Sequence, residues 1–197
     1  NIALVFLISL WALRLGSFLF MRVHKDGEDK RFRTIKPSAT QFFMTWTLQG
    51  LWVSLCSMCA LTAISSDTGV SVNALFYIGL GLFIYGFCTE IVADNQKSKF
   101  RAIPENRDKF ITTGLWAKSR HPNYFGEIVL WFAVALMSFS SLKGFQYITL
   151  ISPIFTYILL VYVSGVRMLE SRGHKKWGHL DEYKSYQKST PMLFPKL

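Results

Sequence analysis

An all-α membrane protein is the fold class this 197-residue sequence predicts: a bundle of about five transmembrane helices with a cytoplasmic amphipathic C-terminal segment. Three observations carry that expectation. The chain is 51% hydrophobic and 16% aromatic but only 17% charged, too apolar for an ordinary soluble domain. Its apolar residues gather into runs about as long as a bilayer core requires. Its basic residues alternate along the chain. Lys and Arg number six in residues 22–40, seven in 93–121 and seven in 167–197, whereas the turns 65–72 and 141–146 hold none and one. That is the positive-inside pattern, with the basic loops cytoplasmic.

The net charge of +10 is therefore read as topology rather than as a nucleic-acid footprint. The expected partners are a lipid bilayer and a lipophilic small molecule, with no nucleic acid. The basic loops also suit anionic lipid or a phosphorylated cofactor. A bacterial inner membrane and an endoplasmic reticulum membrane fit equally. The length suits one membrane domain, residues 1–197. The first residue is Asn1 and residues 1–21 are already apolar, so the expectation is a chain that starts partway through a longer protein.

Taken in order, residues 1–21 read as the first helix. Arg14 sits inside that apolar run, either snorkelling to the surface or holding a phosphate or carboxylate within the bundle. The mixed-charge segment from His24 to Arg33, which includes Lys30 and Arg31, reads as a cytoplasmic loop. Ser38 and Gln41 give a capping-box start to a helix over 39–64. Its one strongly polar side chain, Gln49, can bond a neighbouring helix or a ligand. Cys56 and Cys59 have C-x-x-C spacing, but no partner set accompanies them, so they and Cys88 read as packing residues with no metal site. The third helix is expected over 73–92, with Gly79, Gly81 and Gly86 allowing close helix approach. Glu90 and Asp94 then fall near its C-terminus, where acids oppose the dipole. Residues 95–118 read as a basic polar loop. The fourth and fifth helices are expected over 122–140 and 145–166, and 167–197 as the cytoplasmic tail.

The stretch from Ser119 to Trp131 concentrates the chemistry. Pro122 suits the first position of a helix. Asn123 and Glu127 are four apart on one face, with Gly126 beside them. An acid about a turn inside a membrane helix is a functional-site signal. Arg120 and His121 stand at the helix mouth, where backbone N–H groups and the dipole favour an anion. With Arg14, Asp94 and Arg101, these residues can converge on one cavity opening to the cytoplasm. No G-x-G-x-x-G, P-loop or H-E-x-x-H motif is present.

Ser119-Arg-His-Pro-Asn-Tyr-Phe-Gly-Glu127, preceded by Thr113-Gly-Leu-Trp and followed by a basic tail ending in Thr-Pro-x-x-x-Pro, resembles the steroid 5-alpha-reductase-like membrane reductases, above all their bacterial-type members. Sterol C14 reductases share the Arg-His-Pro-Asn-Tyr-x-Gly core. The resemblance runs from about Trp11 to Pro195. It implies an NADPH-dependent reduction of a carbon–carbon double bond conjugated to a carbonyl in a steroid- or isoprenoid-like substrate. Carried over by position, it implies cofactor contacts at Arg14, Asp94, Arg101, Arg120, His121, Asn123, Tyr124 and Glu127, and in the tail at Glu170, Arg172, His174 and Tyr186. Trp11 and Gln49 fall on the substrate side. Trp11 stands where steroid reductases have a Tyr that polarises the substrate ketone, and indole supplies no acidic proton, so no catalytic residue is assigned.

Two other readings remain open. Isoprenylcysteine carboxyl methyltransferases share Arg-His-Pro-x-Tyr-x-Gly and would use S-adenosylmethionine, whereas the pair Asn123 and Glu127 looks reductase-like. A non-catalytic membrane module that binds lipid or cofactor is the third class.

Overall fold

Among the described residues five helices are long and apolar enough to cross a membrane, and every regular element is helical. The computed structural model describes residues 1–29, 32–67 and 69–196. Lys30 and Arg31 of the basic loop, Thr68 of the turn after the second helix and Leu197 of the tail lie outside the described residues. Large apolar side chains such as Phe6, Phe43, Ile78 and Ile148 are exposed along these helices, as a bilayer-facing surface requires. The chain is thus an integral, multi-pass membrane protein.

The fold divides into two compact units, residues 1–71 with 138–152, and residues 72–137 with 153–197. In the first unit, α1 (Ile2–Asp26) runs five residues beyond the expected end. Its last turn carries His24 and Lys25, which complement the helix dipole, and Gly27 closes it in the left-handed conformation (φ 79°). The helix α2 (Ala39–Ile64) has the expected bounds, and Ser38 Oγ accepts a hydrogen bond from the Gln41 N–H at 3.3 Å. The Asn1 side chain joins the two ends of this unit, donating to the Ile64 carbonyl at 3.0 Å and accepting from the Val70 N–H at 3.1 Å.

The second unit departs most from expectation. The helix α3 (Ala74–Ala102) does not stop at residue 92 but continues ten residues further. Residues 95–102 contain no Gly or Pro, and Lys99 and Arg101 lie in the last turn, where cations stabilise a helix end. Pro104 then forces Ile103 into an extended conformation (φ −83°, ψ 119°), which ends the helix. Glu90 and Asp94 are consequently mid-helix and buried, and the expected conflict with the dipole does not arise.

Glycines let α3 and α4 (Pro122–Ser138) approach backbone to backbone, running antiparallel. A Cβ on Gly86 would lie 2.5 Å from the Gly126 carbonyl oxygen, and one on Gly126 2.6 Å from the Gly86 carbonyl oxygen. Gly79 makes a similar contact with the Met137 side chain and the Ala133 carbonyl. Gly81 has nothing within 4 Å and takes no part, contrary to expectation.

The expected single helix over 145–166 is three elements: a 3-10 stretch over Gly144–Leu150, α5 (Ile151–Ile158) and a π turn over Leu159–Val163. After a break at Ser164 and Gly165, α6 (Val166–Trp177) and α7 (Asp181–Ser189) follow. Gly165 fits there because any Cβ would clash with the Leu160 carbonyl and the Tyr124 ring. The π turn and this break redirect the chain, so that α6 reaches the start of α4.

Candidate functional site

The site is built where the tail of the second unit returns to the loop before α4. Four hydrogen bonds strap the C-terminal segment to that loop. The Arg120 N–H donates to the Pro191 carbonyl at 2.9 Å, and the Lys196 N–H to the Lys118 carbonyl at 2.9 Å. Ser119 Oγ donates to the Leu193 carbonyl at 2.7 Å, and Thr190 Oγ1 to the Ala117 carbonyl at 3.4 Å. Ser119, fully buried, also accepts from the His121 N–H at 3.2 Å. The loop is anchored on α3 as well, where Trp116 Nε1 donates to the Ala93 carbonyl at 3.1 Å. Tyr186 Oη donates to the Trp116 carbonyl at 2.6 Å, and burial raises its phenol above the ordinary tyrosine value.

Onto this frame α6 delivers Glu170. Its carboxylate receives Arg120 Nη1 at 2.5 Å and His121 Nε2 at 2.7 Å, with Gln187 Nε2 at 3.4 Å. One carboxylate thus fixes two adjacent side chains some fifty residues away. An ionised carboxylate is acceptor-only, so His121 Nε2 carries the proton of the neutral ring and Nδ1 is left as an acceptor. Burial pushes the imidazole below its ordinary value; Glu170 pulls it back only in part, and Lys97 and Arg120 push the same way as burial.

Three buried polar atoms here have no hydrogen-bond partner: Arg120 Nε, His121 Nδ1 and Asn123 Oδ1. They lie on three residues of the four-residue stretch 120–123 at the mouth of α4. Buried polar atoms without partners are costly and mark a missing ligand or water. The set is one donor and two acceptors. It therefore matches a group that offers an anionic oxygen together with hydroxyl or amide hydrogens.

Tyr124 packs its ring edge against His121, with centroids 6.0 Å apart, and joins the buried cluster of Val161, Val166 and Leu193. Glu127, half-buried, stands one turn further along α4 beside Gly126. Asp94 is buried on α3. Of the residues singled out in the sequence, Arg120, His121 and Glu170 are joined directly, while Tyr186 bonds the Trp116 carbonyl and only its neighbour Gln187 reaches Glu170. Arg101, Arg172 and His174 are exposed, and their side chains make no hydrogen bond or ion pair among the described residues. Trp11, Arg14 and Gln49 belong to the first unit, where Trp11 is buried, Arg14 lies over the Phe18 ring and Gln49 is exposed. Sequence reasoning missed Gln187 and the structural part played by Ser119. The signal for Ser119 is its place three residues before the first helical residue, where its hydroxyl can accept the N–H two residues on.

The fold defines a class, the multi-pass helical membrane proteins, and the comparisons make this one of the steroid 5-alpha-reductase-like kind. More particularly, the chain belongs to the family described as a protein of unknown function, DUF1295, which matches residues 1–190. It is 27% identical to human 3-oxo-5-alpha-steroid 4-dehydrogenase 1 over 76% of this chain and 50% of that protein. It is 26% identical to an uncharacterised protein of Schizosaccharomyces pombe over 98% of this chain and 63% of that protein. It is 32% identical to the probable O-methyltransferase ustE of Ustilaginoidea virens over 50% of this chain and 40% of that protein. The chain spans about half the length of the curated relatives it matches. No solved structure matches it.

Proposed function

We propose that the protein is a membrane reductase that uses NADPH to reduce a carbon–carbon double bond conjugated to a carbonyl in a lipophilic substrate. The observation that carries this reading is the trio Arg120 Nε, His121 Nδ1 and Asn123 Oδ1, buried and unsatisfied at one helix mouth. A dinucleotide offers what they lack: phosphate oxygens for a guanidinium, and ribose and carboxamide hydrogens for two acceptors. When bound, NADPH supplies a hydride.

The chain's own residues do the rest. Arg120 and His121 bind phosphate and ribose, held in place by Glu170. Asn123, Tyr124 and Glu127 would hold the carboxamide end, and Asp94, buried on α3, is a further candidate contact. The long apolar helices admit a lipophilic substrate sideways from the bilayer. The proton that completes the reduction is assigned to no residue, because Trp11 offers only an indole N–H. The likeness to the human steroid dehydrogenase supports a reductase. Likeness to a probable O-methyltransferase favours a second reading, methyl transfer from S-adenosylmethionine at the same site.

Thermal unfolding of the detergent-purified protein with NADPH, NADH or S-adenosylmethionine separates these readings. A ligand that binds only the folded state raises apparent stability by mass action. Stabilisation by NADPH is expected, followed by oxidation of NADPH when enones are added. Stabilisation by S-adenosylmethionine alone would replace the reductase with the methyltransferase.

A further inference from the structure

A cleft of about 410 Å³ opens beside the start of α4, between α3, α4 and the C-terminal segment. Its volume is within the roughly 300–1,000 Å³ of small-molecule sites. One wall is a continuous aromatic strip. The Phe125 ring meets Tyr85 edge-on at 6.3 Å and Phe194 edge-on at 6.0 Å. Thr89 lines the same wall and spends its hydroxyl on the Tyr85 carbonyl at 2.8 Å, so it presents its methyl group. Tyr85 and Phe194 are more than half exposed, and Tyr85 stands within the apolar span of α3.

The rim has the opposite character. Lys118 and Lys196 line it, held side by side by the backbone bond between them. Among the described residues no acidic side chain lines the cleft. Lys196 Nζ donates to the Ser189 carbonyl at 3.0 Å. The Lys118 side chain makes no hydrogen bond or ion pair among the described residues. The cleft therefore crosses from hydrocarbon depth, at Tyr85, to a wholly cationic edge at the level where α4 begins.

We infer that this cleft is a specific site for one anionic phospholipid of the surrounding membrane. Its phosphate is held between Lys118 and Lys196, and one acyl chain lies along Tyr85, Phe125 and Phe194. Charge complementarity selects the headgroup, and the change from cationic rim to aromatic wall matches the layout of a lipid across the headgroup boundary. A soluble anion would leave the aromatic wall uncovered, and a neutral lipid would leave the two ammonium groups unmatched. The inference is independent of the cofactor reading, since the cleft lies outside the Arg120–His121–Glu170 group.

The test is thermal unfolding of the detergent-purified full chain, titrated with phosphatidylglycerol, phosphatidylcholine or glycerol 1-phosphate. Phosphatidylglycerol is expected to stabilise the protein at lower concentration than phosphatidylcholine, and glycerol 1-phosphate to have little effect. Lys118→Gln with Lys196→Gln should weaken the phosphatidylglycerol response about thirtyfold, as two lost surface cations imply. Lys118→Gln alone removes no internal bond and keeps the test valid should the double variant misfold. Equal responses to phosphatidylglycerol and phosphatidylcholine would overturn the proposal. So would a glycerol 1-phosphate effect as large as the lipid's, or lysine variants that respond as wild type does.

Discussion

Glu170 acts on the site through His121 and Arg120, and its influence is open to titration. The His121 imidazole is held below its ordinary value by burial, against the pull of Glu170. A group whose folded value is depressed is fully compatible with folding above its unfolded value, near 6.5 for His. The stability tied to neutral His121 is therefore present above about pH 6.5 and lost as pH falls through the depressed folded value. Thermal midpoints of wild type should decline from about pH 6.5 downward, and His121→Gln should flatten that part of the profile. Identical slopes in the two proteins would show that His121 titrates as it does in the unfolded chain.

The residues of the site were unequally legible in the sequence. Arg120, His121, Asn123 and Glu127 stood out because charge and amide groups are rare at the start of an apolar helix. The clamp by Glu170 was not readable as such, because no local rule pairs residues fifty apart. Gln187 was hidden by the ordinary polarity of the tail around it.

At the scale of elements, the contact between α3 and α4 decides where Asn123 and Glu127 sit, since Gly126 lies between them. A Cβ at Gly86 or Gly126 meets backbone, which cannot swing aside. Gly86→Ala and Gly126→Ala are expected to destabilise the protein by about 1–3 kcal/mol through overpacking. Gly81→Ala, with open space around it, should be neutral or slightly stabilising. Denaturation midpoints of the three variants check this, and equal midpoints would contradict the close approach. Helix ends were harder to read than helix positions for a physical reason. Hydropathy marks where a chain leaves the bilayer, not where its helix stops. The extension of α3 to Ala102 rests on good helix formers and a favourable last turn. The π turn at Leu159–Val163 was invisible for the converse reason, because apolar residues fill α and π turns alike.

For the whole molecule, five apolar helices and alternating basic loops imply a defined sidedness. Cysteines introduced at Asp67 and at Lys143, in a background lacking Cys56, Cys59 and Cys88, should react with an impermeant thiol reagent from one side of sealed vesicles. Cysteines at Asp108 and Lys188 should react only from the other. Labelling of all four from one side would contradict the five-span arrangement. The fold class was the most legible feature of the sequence, since it depends on composition and run length, which survive changes in every individual residue.

The most direct test of the central claim is an equilibrium titration of NADPH into the detergent-purified wild type and its Asn123→Ala variant, with unfolding midpoints recorded for both. The buried Asn123 oxygen has no partner among the described residues, so its loss should barely change stability while weakening NADPH by about tenfold, the order expected when one buried hydrogen bond to ligand is removed. Equal NADPH affinity in the two proteins, or no saturable NADPH binding by the wild type, would contradict the claim that the mouth of α4 holds the cofactor.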